Sequence, residues 1–430
     1  MEIGIGIVLL ITFAFFVVYT VKGGNLMLGF LILSVVWSVL GMIGGTMTWN
    51  DMQEIVLQQG PESWGATAVV VIFGSWFGQV LIQTGIAKEL IRKTVELGGD
   101  RPVITTVLVN LVVCLIFTST YGAGAVVAVG VIVLPIFLAL GVPKAVAASS
   151  YVMSVGSAMY VNLVLFRQMQ GLFPGFEYDS NYLKYGFAAM GVSILVVSVS
   201  TAFKLRGGKS HAWAASASPA AEETRVPAYA LITPLIPVAL AVFCNWQPIP
   251  AFIVASFFAL IATRKIRSYA DAGRVLSKTF YDGVVDVAAL LGFLFIVPML
   301  TKVATLDSVY FQAVLGGVMP KSALVLCVAF AILAPLGLFR GPLTVFGAGT
   351  ATMAILIGLD IFPIALLFPL LYNPTITMEI MCCPTQSWNM WAVNYTKIST
   401  KEFMVQGVPW CWLICAVNSL LVYFLYGMAL

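Results

Sequence analysis

Charge is what this sequence has least of. Asp, Glu, Lys and Arg make up 9% of its 430 residues, against about 25% in a soluble globular chain. Hydrophobic residues make up 60%, and the mean hydropathy is +1.00. A water-soluble fold of this size could not hide that much apolar surface. A soluble enzyme and a nucleic-acid binder are therefore excluded, although the formal net charge is +4. Histidine is nearly absent: His211 stands alone, in the most polar stretch of the chain. That removes the material for a Ser/His triad, a histidine metal site or a haem ligand set, and no cofactor is expected. The seven cysteines, Cys114, Cys244, Cys327, Cys382, Cys383, Cys411 and Cys415, are odd in number, lie in apolar stretches and form no CxxC pair. They read as small membrane hydrophobes, not as a disulfide frame or a zinc site. No GxxxxGK[ST] occurs, so nothing points to ATP as the driving force. The period-2 alternation of an outer-membrane barrel is missing, as are a voltage sensor's arginine ladder and the signature of a carbonyl filter.

What the chain has instead is long apolar runs. A spanning helix needs about 20 mostly apolar residues, and candidates lie at 3–21, 26–43, 66–86, 102–119, 123–140, 145–166, 185–204, 228–244, 248–263, 284–304, 321–339, 343–359, 361–395 and 408–427. These predict an all-α polytopic membrane protein whose partner is the lipid bilayer. The first run is not a cleaved signal, because Glu2 precedes it and Lys22 follows it. Loop 44–65 carries Asp51, Glu54 and Glu62 with no basic residue, which places it outside; loop 87–101 carries Lys88, Arg92, Lys93 and Arg101, which places it inside. Alternation then leaves every basic residue inside except Arg167, Lys184, Lys302 and Lys321, which fall outside, and Arg340, which falls within the membrane. Both termini come out external.

The polar stretch 204–227 divides the chain nearly in half. Offset by roughly 217–222 residues, the halves share an order of segments: two spans, a charged stretch, a span, an apolar pair broken by glycine, a broken segment, a last span. The first half starts outside and the second inside, so the repeats are inverted. The expected organisation is a first transmembrane repeat at 1–205, a cytoplasmic linker at 206–227 and a second, inverted repeat at 228–430.

Helices broken at membrane depth must face protein or a water-filled cavity, because an unpartnered backbone group in hydrocarbon costs several kcal/mol. Four breaks are visible: Phe117–Gly124, Gly337–Pro342, Ser154–Asn162, and, within 361–395, both Tyr372–Thr375 and Cys382–Asn389. Their helix ends can serve an anion with N–H groups or Na⁺ with carbonyls and hydroxyls. The candidate substrate-binding residues are Thr118, Ser119, Thr120, Tyr121 and Gly122 in the first break, Ser157 and Asn162 in the third, and Arg340 and Gly341 in the second. Asn373, Thr375, Pro384, Thr385, Gln386, Ser387 and Asn389 complete the set. Gly74 and Gly78 read instead as a packing seam. Arg340 is the lone basic residue inside the membrane and Glu379 the lone deep acid. Such residues are costly and usually functional: Arg340 would fork a substrate carboxylate and Glu379 would carry a coupling proton, the alternative being a structural pair of the two. Asp286 and Lys302 read as interfacial. Trp388, Trp391, Trp410 and Trp412 fit an aromatic belt at least as well as a cage.

At these breaks the chain resembles the ion-transporter superfamily, which includes gluconate permeases, citrate–metal symporters and divalent-anion/sodium symporters. Thr118-Ser-Thr-Tyr-Gly122 resembles the polar hairpin tip of that pattern and Leu134-Pro-Ile136 the Leu-Pro-Ile that follows it. Pro384–Asn389 and Lys397–Phe403 are similar to its second-half break and the Ile-Ser, acidic, Phe sequence beyond. The Ser-Asn-Thr tips of sodium-coupled members are absent from both halves, and Arg340 stands where those members have a neutral residue. The resemblance implies that 102–140 and 321–359 are re-entrant hairpins, that the site lies between the two tips and the two broken helices, and that the protein is a homodimer.

The expectation is thus a secondary active transporter, not an enzyme, in the plasma (cell inner) membrane. It would move a small organic anion, a mono- or dicarboxylate, with H⁺ or Na⁺ by alternating access. The alternatives are a cation/H⁺ antiporter of the same superfamily and, further off, an integral-membrane enzyme or a channel.

Overall fold

The computed structural model describes residues 1–99, 101–173, 175–206, 226–317 and 320–428. Among these the regular structure is helical throughout. His211 and most of the 206–227 linker lie outside the described residues. The helices are α1 (Glu2–Val21), α2 (Leu26–Gly44), α3 (Trp49–Gln83), α4 (Ile86–Gly98), α5 (Pro102–Phe117), α6 (Ala123–Ala139), α7 (Lys144–Ala158), α8 (Leu163–Gln170) and α9 (Ser180–Leu205). There follow α10 (Ala228–Cys244), α11 (Pro248–Ala262), α12 (Tyr269–Leu306), α13 (Ser308–Leu315), α14 (Ala323–Arg340), α15 (Gly349–Gly358), α16 (Ile364–Ile380), α17 (Ser387–Thr396) and α18 (Thr400–Gly427). Seven of them are long and apolar enough to cross a membrane, or eight counting the bent pair α7–α8. The chain is a multi-pass, all-α membrane protein.

The order α1–α9 runs again as α10–α18. Trp49 and Tyr269 open the two long helices, Lys144 and Ile364 the two broken ones, and Ser180 and Thr400 the two closing ones, at one spacing of about 220 residues. Packing follows the same exchange. α12 lies along α2, and α3 along α11; α3 and α12 lie along each other. Such swapped contacts are those of two repeats about a pseudo-two-fold axis, and the charge distribution makes their topology inverted.

Three expectations about boundaries are corrected. The stretch 44–65, expected as an external loop, is mostly helix. Thr48 caps it through a reciprocal capping box with Asp51, which satisfies the first orphan N–H groups, and α3 runs on to Gln83. The internal stretch 87–101 is also mostly helix, α4. Its buried Ile86, Ala87, Ile91, Thr94 and Gly98 share one face, while Lys88 and Arg92 remain exposed. The span expected at 284–304 begins at Tyr269, where Ser268 accepts from Asp271 N–H. The third break is confined to 159–162, where α7 and α8 meet with a 64° bend. Of the two breaks expected in 361–395, that at Tyr372–Thr375 does not form. Pro374 removes a donor, and the chain absorbs the loss in a π-helical turn, Thr375–Ile380, without leaving the helix. The second falls at 381–386, between α16 and α17.

Candidate functional site

Two hairpins, α5–α6 and α14–α15, bring their tips to the two helix breaks. In the first, Thr118 Oγ1 turns back to Leu115 O at 2.7 Å, and Ser119 Oγ donates to Pro234 O of α10 at 2.5 Å. The tip's freed carbonyls go to one side chain. Asn162 Nδ2 donates to Phe117 O at 2.8 Å and Thr120 O at 3.1 Å, while its Oδ1 caps α8 by accepting from Leu165 N at 2.9 Å. One buried amide thus accounts for backbone groups on both sides of the break, as burial demands. The tip ends at Gly122, whose φ of +121° suits glycine.

The second tip is tighter. Phe339 and Arg340 both have left-handed backbone, at φ of 53° and 60°, and Ala348 N closes the loop on Arg340 O at 2.9 Å. Three further bonds tie it to the second broken helix. Val345 N donates to Thr375 Oγ1 at 3.0 Å, Phe339 N donates to Cys383 Sγ at 3.2 Å, and Thr344 Oγ1 donates to Glu379 Oε2. Asn389 Nδ2 holds the break itself, donating to Cys383 O at 2.9 Å and Ile380 O at 3.1 Å. The two broken helices are also bonded to each other: Tyr372 OH donates to Met159 O at 2.7 Å and Tyr160 OH to Asn373 Oδ1 at 2.5 Å.

Between the tips lies a cavity of about 240 Å³, lined by Tyr121, Gly122, Arg340, Glu379, Gln386, Ser387, Trp388 and Asp286, with Phe293 and Phe346 among its apolar walls. Tyr121 stands edge-on to Trp388, ring centroids 6.3 Å apart. Of the residues expected from sequence, Tyr121, Gly122, Arg340, Gln386, Ser387 and Glu379 meet there. The others do not line it. Thr118, Ser119, Asn162, Thr375 and Asn389 hold the tips and breaks through the bonds just described. Thr120 carries a buried hydroxyl without a partner. Ser157 bonds back to Met153 O at 2.8 Å inside α7, and Asn373 is spent on Cys415 O and Ser419 Oγ at 2.7 and 2.9 Å. Gly341 lies in the tip's own turn, accommodating Leu336 O and Leu338 O where a Cβ would go. Pro384 and Thr385 belong to the break, Thr385 exposed and bonded to Cys383 Sγ at 3.0 Å.

Arg340 and Glu379 share this cavity without a direct ion pair, and the guanidinium acts on the carboxylate at longer range. Among the described residues the only hydrogen bond of the Arg340 guanidinium goes to Phe346 O, at 3.4 Å. Glu379 is buried. The sequence reading missed Asp286 and Trp388. Asp286 lies midway along α12, faces the cavity and accepts from Gly124 N, at the start of α6, at 2.5 Å. Trp388 is a buried cavity wall, not part of a belt. Gly74 and Gly78 do serve packing, the first against Val164 and the second against Thr120. No group of three or more His, Cys, Asp or Glu among the described residues could hold a metal ion.

No protein-family model and no curated protein sequence matches the chain. Among solved structures it is similar to the YdaH transporter of Alcanivorax borkumensis, described as having an unusual topology. The two superpose with a TM-score of 0.63 over 92% of this chain and 96% of that one, at 15% identity. At that identity the likeness is one of fold: this chain is folded as a membrane transporter is.

Proposed function

We propose that the chain is a secondary active transporter of the plasma (cell inner) membrane, not an enzyme, and that it moves a small organic anion with a coupling ion by alternating access. The two units, 1–205 and 228–430, act as its inverted repeats around the 206–227 linker, and two copies associate as a homodimer. The observation that carries the reading is Arg340: a half-buried guanidinium facing a cavity, without an ion pair among the described residues. A half-buried cation with free donors favours a bound carboxylate, which it can meet with two parallel bonds. Trp388, Tyr121 and Phe293 offer apolar surface to the remainder of such a ligand. Glu379 serves as proton carrier, and the hydroxyls and carbonyls near the first tip are the rival seat for Na⁺.

One observation favours a second reading, a cation/H⁺ antiporter. Two acids, Asp286 and Glu379, line the cavity against one base. The experiment is a thermal-shift screen of purified protein against mono- and dicarboxylates, with and without Na⁺, because a ligand of the folded state raises its apparent stability by mass action. Wild-type proteoliposomes under a pH or a Na⁺ gradient then assign the coupling ion. Stabilisation by cations with no response to any carboxylate refutes the anion reading in favour of antiport.

A further inference from the structure

The cavity sits where two bodies meet, the long helix α12 on one side and the hairpin tips on the other. One side chain crosses between them. Asp286 Oδ1 accepts from Gly124 N at 2.5 Å, Oδ2 accepts from Ser75 Oγ of α3 at 3.5 Å, and Ala125 N–H and the Gln79 side chain face the same carboxylate. The first N–H groups of a helix have no intrahelical partner, so an acceptor must come from elsewhere. Here it comes from a different repeat, since Asp286 is on α12 and the capped helix is α6. The space was left for it. A Cβ on Gly122 would run into Asp286 Oδ2, and one on Gly124 would stand 2.9 Å from Oδ1. Two glycines, one on each side of the carboxylate, are what let α12 approach the tip this closely.

We infer that Asp286 is a positioning residue of the site: it fastens the first turn of α6 to α12 and so fixes where Tyr121 and Gly122 face Arg340. The fastening spans the boundary along which one body must slide against the other. Its release is therefore a step in any exposure of the first tip to the opposite side of the membrane. The consequence for transport rests on the function proposed above; the fastening does not.

The test separates the two. Backbone amide exchange at Gly124 and Ala125 is read by mass spectrometry on the full-length protein in detergent. Asp286→Ala should speed it by about tenfold or more, leaving α9 and α18 unchanged. Asp286→Asn, of equal volume, should speed it less, and Gly124→Ala should reproduce the alanine variant by displacing the carboxylate. The alanine variant leaves a hole of carboxylate size beside free N–H donors, so added formate should restore slow exchange and chloride should not. A residue that merely filled space would show no such rescue. Unchanged exchange in Asp286→Asn and Asp286→Ala, or exchange that formate fails to restore, overturns the inference whatever the protein transports. If exchange and rescue behave as expected but no carboxylate binds wild-type protein, the fastening stands and the transport reading falls.

Discussion

Replacing Arg340 tests the proposed anion site most directly. Its guanidinium makes one long hydrogen bond within the protein, 3.4 Å to Phe346 O, and no ion pair among the described residues. Truncation therefore removes little hydrogen bonding, below about 1 kcal/mol, and with it the positive charge that acts on the buried Glu379 carboxylate. The backbone argues the same way. Position 340 has φ of 60°, and alanine bears the same left-handed penalty as arginine. Folding should survive and binding should not. A hydrogen bond to a charged group contributes about 1.5–3 kcal/mol, so Arg340→Ala should weaken carboxylate binding roughly 10- to 150-fold. Arg340→Lys keeps the charge but loses the planar fork, and should fall between alanine and wild type. The assay is calorimetric titration of purified protein with the best carboxylate from the thermal screen, with the melting temperature of each variant recorded alongside. An affinity within threefold of wild type in a folded Arg340→Ala protein refutes the reasoning. So does a lysine variant that binds as well as arginine, because the fork would then be irrelevant.

Other outcomes follow from the same geometry. In proteoliposomes, Glu379→Gln should abolish proton-driven accumulation while counterflow exchange survives; uptake driven by a Na⁺ gradient alone in the wild type would assign Glu379 another role. Asn162→Ala leaves Phe117 O and Thr120 O without their donor and α8 without its cap, which should cost about 3 kcal/mol, read as a lower melting temperature. Burial raises the Asp307 carboxyl, in the turn after α12, from 3.8 to about 6. Its charged form is thus penalised in the folded state, so stability should rise as pH falls from about 6 towards 4 and stay flat above 6. Asp307→Asn should erase that slope and gain up to about 3 kcal/mol at pH 7.5. Finally, in a cysteine-free background in sealed cells, an impermeant thiol reagent should label Lys184→Cys and leave Lys88→Cys untouched; the opposite pattern would invert the topology.

Hydropathy sufficed for the class and for the recurrence of segments, because unbroken apolar runs are a strong signal; the hairpins rested on the resemblance. Hydropathy failed where helices begin in polar sequence. The starts of α3 and α12 are marked by Thr48 with Asp51 and by Ser268 with Asp271, capping patterns that a search for apolar runs passes over. Asp286 was set aside for this reason: a helix starting at 284 puts it near an end, whereas α12 starts at Tyr269 and carries it midway. In the site, Arg340, Glu379 and Tyr121 were legible as polar residues at depth. Which polar groups face the cavity and which repair the backbone was not. Asn162, Thr375 and Asn389 carry the same donors and acceptors as any ligand-binding residue, and only the carbonyls and N–H groups left free at each break decide where those are spent.

The left-handed pair Phe339 and Arg340 has a consequence for how this protein could change over time. Each residue forgoes roughly 1–2 kcal/mol that glycine at the same place would keep. Phe339→Gly should therefore melt higher than wild type, and such a change lies within easy reach of random mutation. Gains in robustness at this tip trade against the aim of Arg340, since a glycine beside it would let the guanidinium swing. Thermostabilised versions made by consensus or by screening for heat resistance should accumulate changes elsewhere first. Any that fall on Phe339 should loosen the tip, read as faster backbone amide exchange at Arg340 and Gly341.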